Sequence, residues 1–118
     1  MQGLGGHTQI EPEGGTAYPF RDKPFMFKIQ AWWNFDNPKK AKEYIEWVRD
    51  YRKAIANYID GAFINFQDKD LVGNPDLPSG RIQLLEQYYK ANLPRLREVK
   101  SKYDRENLFD FGMGIPPK

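Results

Sequence analysis

Few residues in this chain could do chemistry, and each has a plainer reading beside it. Asn65 lies among aromatics in Phe63-Ile64-Asn65-Phe66, where its amide could hold a bound molecule or simply bond nearby strand backbone. Gln30 offers the same amide chemistry within Phe25–Trp33, with an ordinary exposed strand position as the alternative. His7 is the only histidine, and its glycine-rich surroundings suit a solvated ring better than an acid–base catalyst. Asp68 and Asp70 resemble a metal pair in spacing, but carboxylates placed this way more commonly anchor the loop that follows a strand. Trp32, Trp33 and Trp47 could stack on a flat ring or a sugar, or fill the core. The basic run Arg95, Arg97, Lys100, Lys102 and Arg105 invites a nucleic-acid reading. Glu98, Asp104 and Glu106 interleave with it, which makes it a solvated helix face.

The elements that must position these residues follow from periodicity. Phe25, Phe27, Ile29, Ala31 and Trp33 fall on one face of a strand, with Met26, Lys28, Gln30 and Trp32 on the other. The first face is apolar and needs a helix layer; the second suits a ligand or partner. Asn37-Pro38 opens a helix, Asn37 as cap and Pro38 in the first turn. Its stripe of Ala41, Tyr44, Ile45, Val48, Tyr51, Ile55 and Tyr58 predicts a helix over Pro38–Tyr58, ended by Gly61 in the left-handed conformation. Phe63–Phe66 reads as a short strand, residues 67–79 as a loop, and His7–Ile10 as a further short strand. Ser79 would cap a helix carrying Leu84, Leu85, Tyr88 and Tyr89. Asn92 would cap another, carrying Leu96, Val99 and Tyr103, before an extended tail. The sum is one α+β domain, 1–118, with a small antiparallel sheet backed by two to three helices.

Composition narrows the function classes. At 118 residues the chain holds one core, and 40% hydrophobic with 29% charged residues is a globular balance. Eighteen basic against sixteen acidic residues leave a net charge of +2, too little to steer nucleic acid. There is no cysteine, so disulfides and thiolate metal sites are excluded and nothing points to secretion. No apolar run approaches the roughly 20 residues of a membrane span, and the N-terminus lacks the features of a signal peptide. A cytoplasmic setting, away from membranes and nucleic acid, is the expectation.

Several motifs together carry more identity than composition does. Gly5-Gly6 is followed by Thr16-Ala17-Tyr18-Pro19-Phe20-Arg21, then by Gln30-Ala31-Trp32-Trp33, Trp47-Val48-Arg49, and Gly61-Ala62-Phe63-Ile64-Asn65-Phe66-Gln67-Asp68. The stretch from Gln87 to Pro117 closes the series with Tyr103-Asp104-Arg105-Glu106-Asn107-Leu108-Phe109 and Ile115-Pro116-Pro117. In this order the motifs resemble the C-terminal part of the berberine-bridge-enzyme-like FAD-linked oxidases, across nearly the whole chain.

The resemblance implies a fold in which a separate N-terminal domain binds FAD and an antiparallel sheet backed by helices covers the flavin and forms the substrate site. It implies oxidation of an alcohol or amine carbon by hydride transfer to flavin, aided by a base. It places Gln30 and Asn65 toward flavin or substrate. The family's base is often the second tyrosine of a Tyr-x-Asn-Tyr motif, or a strand carboxylate. Here Phe63 and Phe66 occupy the tyrosine positions and Phe25–Trp33 has no Asp or Glu, so no confident catalytic residue can be assigned. Phe20 replaces the family's histidine and Arg105 its proline. A flavin link through cysteine cannot lie here, and no metal is expected.

Two function classes follow. The chain is one piece of an FAD-linked oxidoreductase, inactive and without bound FAD until joined to the flavin-binding domain it lacks or to a partner chain that supplies one. Alternatively it is a stand-alone, non-catalytic module that binds a ligand or oligomerises. In either case exposed aromatic surface and open strand edges would favour a homodimer.

Overall fold

The computed structural model describes residues 1–34, 36–71 and 78–118. Its core is built around the C-terminal half. Helix α2 (Pro78–Tyr89) presents Leu84, Leu85 and Tyr88, all at least 98% buried, and Leu93 and Met113 close over them. Ala62, Ile64, Leu71 and Tyr89 pack around this centre. Leu84, Leu85 and Tyr88 recur at one-, three- and four-residue spacing, so one helix face supplies most of the buried surface.

The extended C-terminal tail, anchored in the core by Met113, is fastened over α2 and helix α3 (Leu93–Tyr103) by arginines as well. Arg81 Nε and Nη2 donate to Gly114 O at 2.9 and 2.6 Å, and Nη2 also donates to Phe111 O at 3.0 Å. Arg97 donates to Pro116 O and Pro117 O at 3.3 and 2.8 Å. These carbonyls lie next to prolines and glycines that cannot extend a regular ladder, so cationic donors satisfy them instead. The turn between α3 and the tail is organised by Asp104, whose carboxylate accepts from Leu108 N at 2.7 Å, Phe109 N at 3.0 Å and the Lys100 ammonium.

The fold class is α+β, with one antiparallel pair of strands and three α-helices among the described residues. The sheet is smaller than the alternation predicts. Strand β2 covers Phe25–Met26 alone and pairs with β1 (Gln2–Gly3), Gln2 opposite Met26 and Gly3 opposite Phe25. A strand lasts only as long as a partner supplies its ladder. Leu4 N still bonds Pro24 O at 2.9 Å, but Gly6 (φ 61°) then turns the chain into a 3-10 turn over Gly6–Gln9, where His7–Ile10 is expected to be a strand. Residues 27–33 continue unpaired as irregular chain. Phe63–Phe66 is likewise not a strand: Phe66 N bonds Phe63 O at 2.9 Å, closing a turn.

Helix α1 (Pro38–Ala54) starts as expected, with Lys40 N donating to Asn37 Oδ1 at 3.2 Å and Pro38 in the first turn. It ends four residues earlier than its stripe suggests. The chain tightens into a 3-10 turn at Ala56–Tyr58 after Ile55 N bonds Tyr51 O at 3.2 Å. Gly61 is therefore not a helix cap. It is required for a close approach: a Cβ there would lie 2.5 Å from the Phe20 ring and 2.6 Å from Gln87 O. The next amide, Ala62 N, donates to that same Gln87 carbonyl at 3.1 Å, hooking the segment onto the last turn of α2.

The predicted caps of the other helices differ too. Ser79 sits inside the first turn of α2 rather than before it, and most of the predicted loop, 72–77, lies outside the described residues. Asn92 does precede α3, but its backbone is already helical (φ −80°, ψ −18°) within a 3-10 turn over Lys90–Asn92. A helical residue cannot swing its side chain onto the first amides of the same helix, and Asn92 Nδ2 donates to Thr16 O at 3.2 Å instead. Lys90, in the left-handed conformation (φ 48°), makes the break between α2 and α3.

Candidate functional site

An aromatic-walled cavity of about 570 Å³ opens between the N-terminal segment, α1 and residues 58–71. That volume falls in the range of small-molecule sites, and so does its make-up of apolar walls with a few polar groups. Tyr18, Phe20, Phe25, Phe27, Phe63 and Phe66 line it. Tyr18 meets Phe20 and Phe63 edge to face at 6.0 and 6.1 Å between ring centroids, and Phe63 and Phe66 lie 6.0 Å apart. Thr16-Ala17-Tyr18-Pro19-Phe20 thus supplies one wall, and the closed turn at Phe63–Phe66 supplies the facing one.

The polar end of the cavity is a four-charge cluster. Arg49 and Arg52, three residues apart on α1, share one helix face; Asp68 and Asp70 come from the loop opposite. Arg49 Nε and Nη2 bind Asp70 at 2.7 and 3.3 Å, and Arg52 Nε lies 3.2 Å from Asp68 Oδ2. Asp68 Oδ1 also accepts from Asp70 N at 2.9 Å, so the aspartates anchor their loop as the sequence suggests. The Arg49 guanidinium holds the Asp70 carboxyl below the usual carboxylate range, and Asp70 in turn pushes Arg49 up. At the far rim Lys23 bridges Asp22 and Asp60, both at 2.8 Å, and these two hydrogen-bonded carboxylates raise its pKa.

Tyr88 is the tyrosine nearest this cluster. Its Oη accepts from Asp68 N at 2.7 Å, and burial pushes its pKa up. A phenol so placed stays protonated and fixes the loop; it offers no base to the cavity.

Of the residues singled out by sequence, Phe63 and Phe66 line this cavity. Gln30 and Asn65 do not; both are exposed. Asn65 stands in a tight turn, where successive residues no longer share two faces as they would in a strand. Lys28, placed by the sequence on the ligand- or partner-facing side, has its ammonium 4.6 Å above the Phe66 ring centroid. Sequence reasoning missed the Arg49/Arg52 pair, although their three-residue spacing was a usable signal. Among the described residues no three His, Asp or Glu side chains converge on a metal site.

A dinucleotide cofactor needs a cradle for its pyrophosphate: backbone amides at a glycine turn leading into a helix N-terminus. The described residues do not fit that requirement. The glycines with positive φ, Gly6, Gly14 and Gly15, precede no long helix, and α1 begins on amides partly capped by its own Asn37. A flat ring could lie against the aromatic walls, but among the described residues there is no such phosphate cradle beside them.

Comparison with known proteins decides the relationship. Residues 62–116 match the berberine and berberine-like family, the segment that carries Phe63, Asn65, Phe66, Asp104 and the tail. Residues 62–116 carry the berberine and berberine-like domain, and nearly the whole chain is similar to part of the berberine bridge enzyme-like proteins. Berberine bridge enzyme-like 17 of Arabidopsis thaliana is 38% identical over 125 residues, covering 96% of this chain and 22% of that protein. The uncharacterized FAD-linked oxidoreductase YvdP of Bacillus subtilis is 31% identical over 113 residues, again 96% of this chain and 23% of the relative. Aclacinomycin-N/aclacinomycin-A oxidase of Streptomyces galilaeus is 31% identical over 127 residues, covering 99% and 23%. The chain therefore spans between a fifth and a quarter of the length of these berberine-bridge-like and FAD-linked relatives. No solved structure gives a significant match.

Proposed function

We propose that this chain is the substrate- and flavin-covering C-terminal part of an FAD-linked oxidoreductase that oxidises an alcohol or amine carbon by hydride transfer to flavin. One observation carries the reading: Phe63 and Phe66, at the family's tyrosine positions, form one wall of the larger aromatic cavity. In the complete protein FAD would supply the hydride acceptor, and a separate domain would hold its phosphates. This chain's contribution is apolar: its rings exclude water and orient a flat or apolar substrate. Phenylalanine takes no proton, and the aspartates of the cavity are paired with Lys23, Arg49 and Arg52, so the base is expected from another part of the protein. The isolated chain is accordingly not an oxidase.

The test has two arms. Purified chain mixed with FAD and offered sugars, alcohols or amines should give neither peroxide nor flavin reduction; clear turnover would overturn its inactivity. Grafted in place of the matching C-terminal region of YvdP, the chain should yield a yellow, flavin-holding protein. A folded but colourless chimera would sink the flavin-covering role.

A second reading, an oligomerising module, is favoured by the turn after α3. Leu108, Phe109 and Phe111 are 78%, 78% and 63% exposed on backbone held by Asp104 and Arg81. A rigid turn displaying three large apolar side chains suits burial against another protein surface. A second copy of the chain would serve when no flavin domain is attached.

A further inference from the structure

A second hollow, of about 370 Å³, lies on the other side of α1 and shares no lining residue with the first. Trp32, Tyr44 and Trp47 line it, together with Ala31 and Glu43. The arrangement follows from helix spacing. Glu43 and Trp47 are four residues apart and Tyr44 and Trp47 three, so all three side chains rise from neighbouring rows of α1. Trp32 is brought over them by the irregular chain that follows β2. Trp47 is braced from behind by Tyr51, with ring centroids 5.5 Å apart and planes tilted by 34°.

Two features of this hollow exceed what packing requires. Trp32 is 80% exposed and Trp47 53% exposed, so both indoles leave most of their surface open. The nearby Glu46 approaches Lys42 at 3.9 Å, whereas Glu43 enters no ion pair among the described residues. Three electron-rich rings beside an uncommitted carboxylate form a surface whose electrostatic complement is a weakly hydrated cation. Ordinary ammonium groups are held by water too strongly to prefer it. Lys39, Lys40 and Lys42 emerge from the same turns and remain in solvent.

We propose that Trp32, Tyr44, Trp47 and Glu43 form a binding site for a quaternary or N-methylated ammonium group. The rings take the methyl-bearing face of the cation, and the Glu43 carboxylate neutralises its charge from the open side. The volume leaves room for the group that carries the cation as well. This inference is independent of the flavoprotein reading, since it uses neither the aromatic cavity nor a cofactor.

The chain has three tryptophans, and two of them are in the site, so the indole N–H signals in a 15N-labelled sample report on it directly. Choline chloride titrated into the chain should shift the Trp32 and Trp47 indole signals saturably, with half-saturation of about 1 mM, and leave Trp33 behind. The uncharged isostere 3,3-dimethylbutan-1-ol should bind at least about tenfold more weakly, because it keeps the shape and loses the charge. Glu43→Gln should weaken choline binding about fivefold and Trp47→Ala about tenfold or more. Equal binding of the alcohol would make the hollow a plain apolar groove and overturn the proposal. Ring shifts with methyl glucoside but none with choline would overturn it in favour of a sugar platform. Absence of saturation, or choline binding unchanged in both variants, would overturn it outright.

Discussion

At the scale of single residues, the hydroxyl of Tyr88 is the clearest case of one atom fixing a functional wall. It is the acceptor for Asp68 N, and Asp68 carries the loop that faces Arg52. Tyr88→Phe keeps the ring in the core and strips that acceptor from a partly buried amide. The expected loss is about 1–2 kcal/mol of unfolding free energy, read from urea denaturation against the parent chain. A larger loss of binding in the aromatic cavity than of stability would show that the loop, not the core, depends on that hydroxyl. Tyr88 as a core residue was legible from its helical spacing with Leu84 and Leu85. Its polar role was not, because periodicity assigns a side chain to a face and says nothing of what its far end meets.

At the scale of elements, helices were easier to read than strands because a helix satisfies its own backbone. Asn37-Pro38 and the apolar stripe of α1 act within a few residues of each other, and the start of that helix followed from them. The alternation in Phe25–Trp33 predicts a strand, yet pairing depends on a distant partner, and Gln2–Gly3 is only two residues long. The same reasoning separates two testable features of the C-terminal half. Lys90 carries a side chain in the left-handed conformation, at a break where glycine costs nothing. Lys90→Gly should raise stability by about 0.5–1 kcal/mol, measured as a shift in urea midpoint at unchanged slope.

The turn after α3 should respond to acid. The Lys100 ammonium holds the Asp104 carboxyl below the ordinary range, and the amides of Phe109 and Leu108 act in the same direction. A carboxylate whose folded pKa is depressed contributes stability above its unfolded pKa and loses it as pH falls through the folded value. The Tm of the parent chain should therefore drop steeply between about pH 4 and pH 2. Asp104→Asn should start lower at neutral pH and lose less across that window. Parallel curves for the two proteins would remove Asp104 from the acid response.

At the scale of the whole molecule, the chain is more open than its length calls for. Its radius of gyration is 16.7 Å, and its extents are 47 × 37 × 25 Å. A compact domain of this length has a radius of about 13.5 Å. The buried centre lies almost wholly on α2, Leu93 and Met113, while α1 has no fully buried residue. Surface of that kind is expected to find cover. Light scattering at tens of micromolar should give about twice the 13.9 kDa chain mass, with an interface of about 1,000 Å² or more. Phe109→Asp should return it to the monomer. A mass of one chain at that concentration would rule out the oligomerising reading. The family's C-terminal motifs were legible from the sequence alone, since each is a short local string. Where Gln30 and Asn65 would point was not, because that depends on strands the chain does not pair.

Gly61 carries a consequence for how this chain can change over time. The position is half-exposed and its backbone is unstrained, so a survey by burial would rank it as permissive. Yet even a methyl group there would collide with the Phe20 ring and the Gln87 carbonyl. In a saturation library selected for folding, position 61 should return almost only glycine, while Gly3 and Gly5, with open space around them, should accept many residues. Enrichment of alanine or serine at 61 would contradict the contact. Because one of the two obstacles is the Gln87 backbone carbonyl, a smaller residue at position 20 would relieve only half of the collision, and position 61 should stay glycine whatever side chain stands at 20.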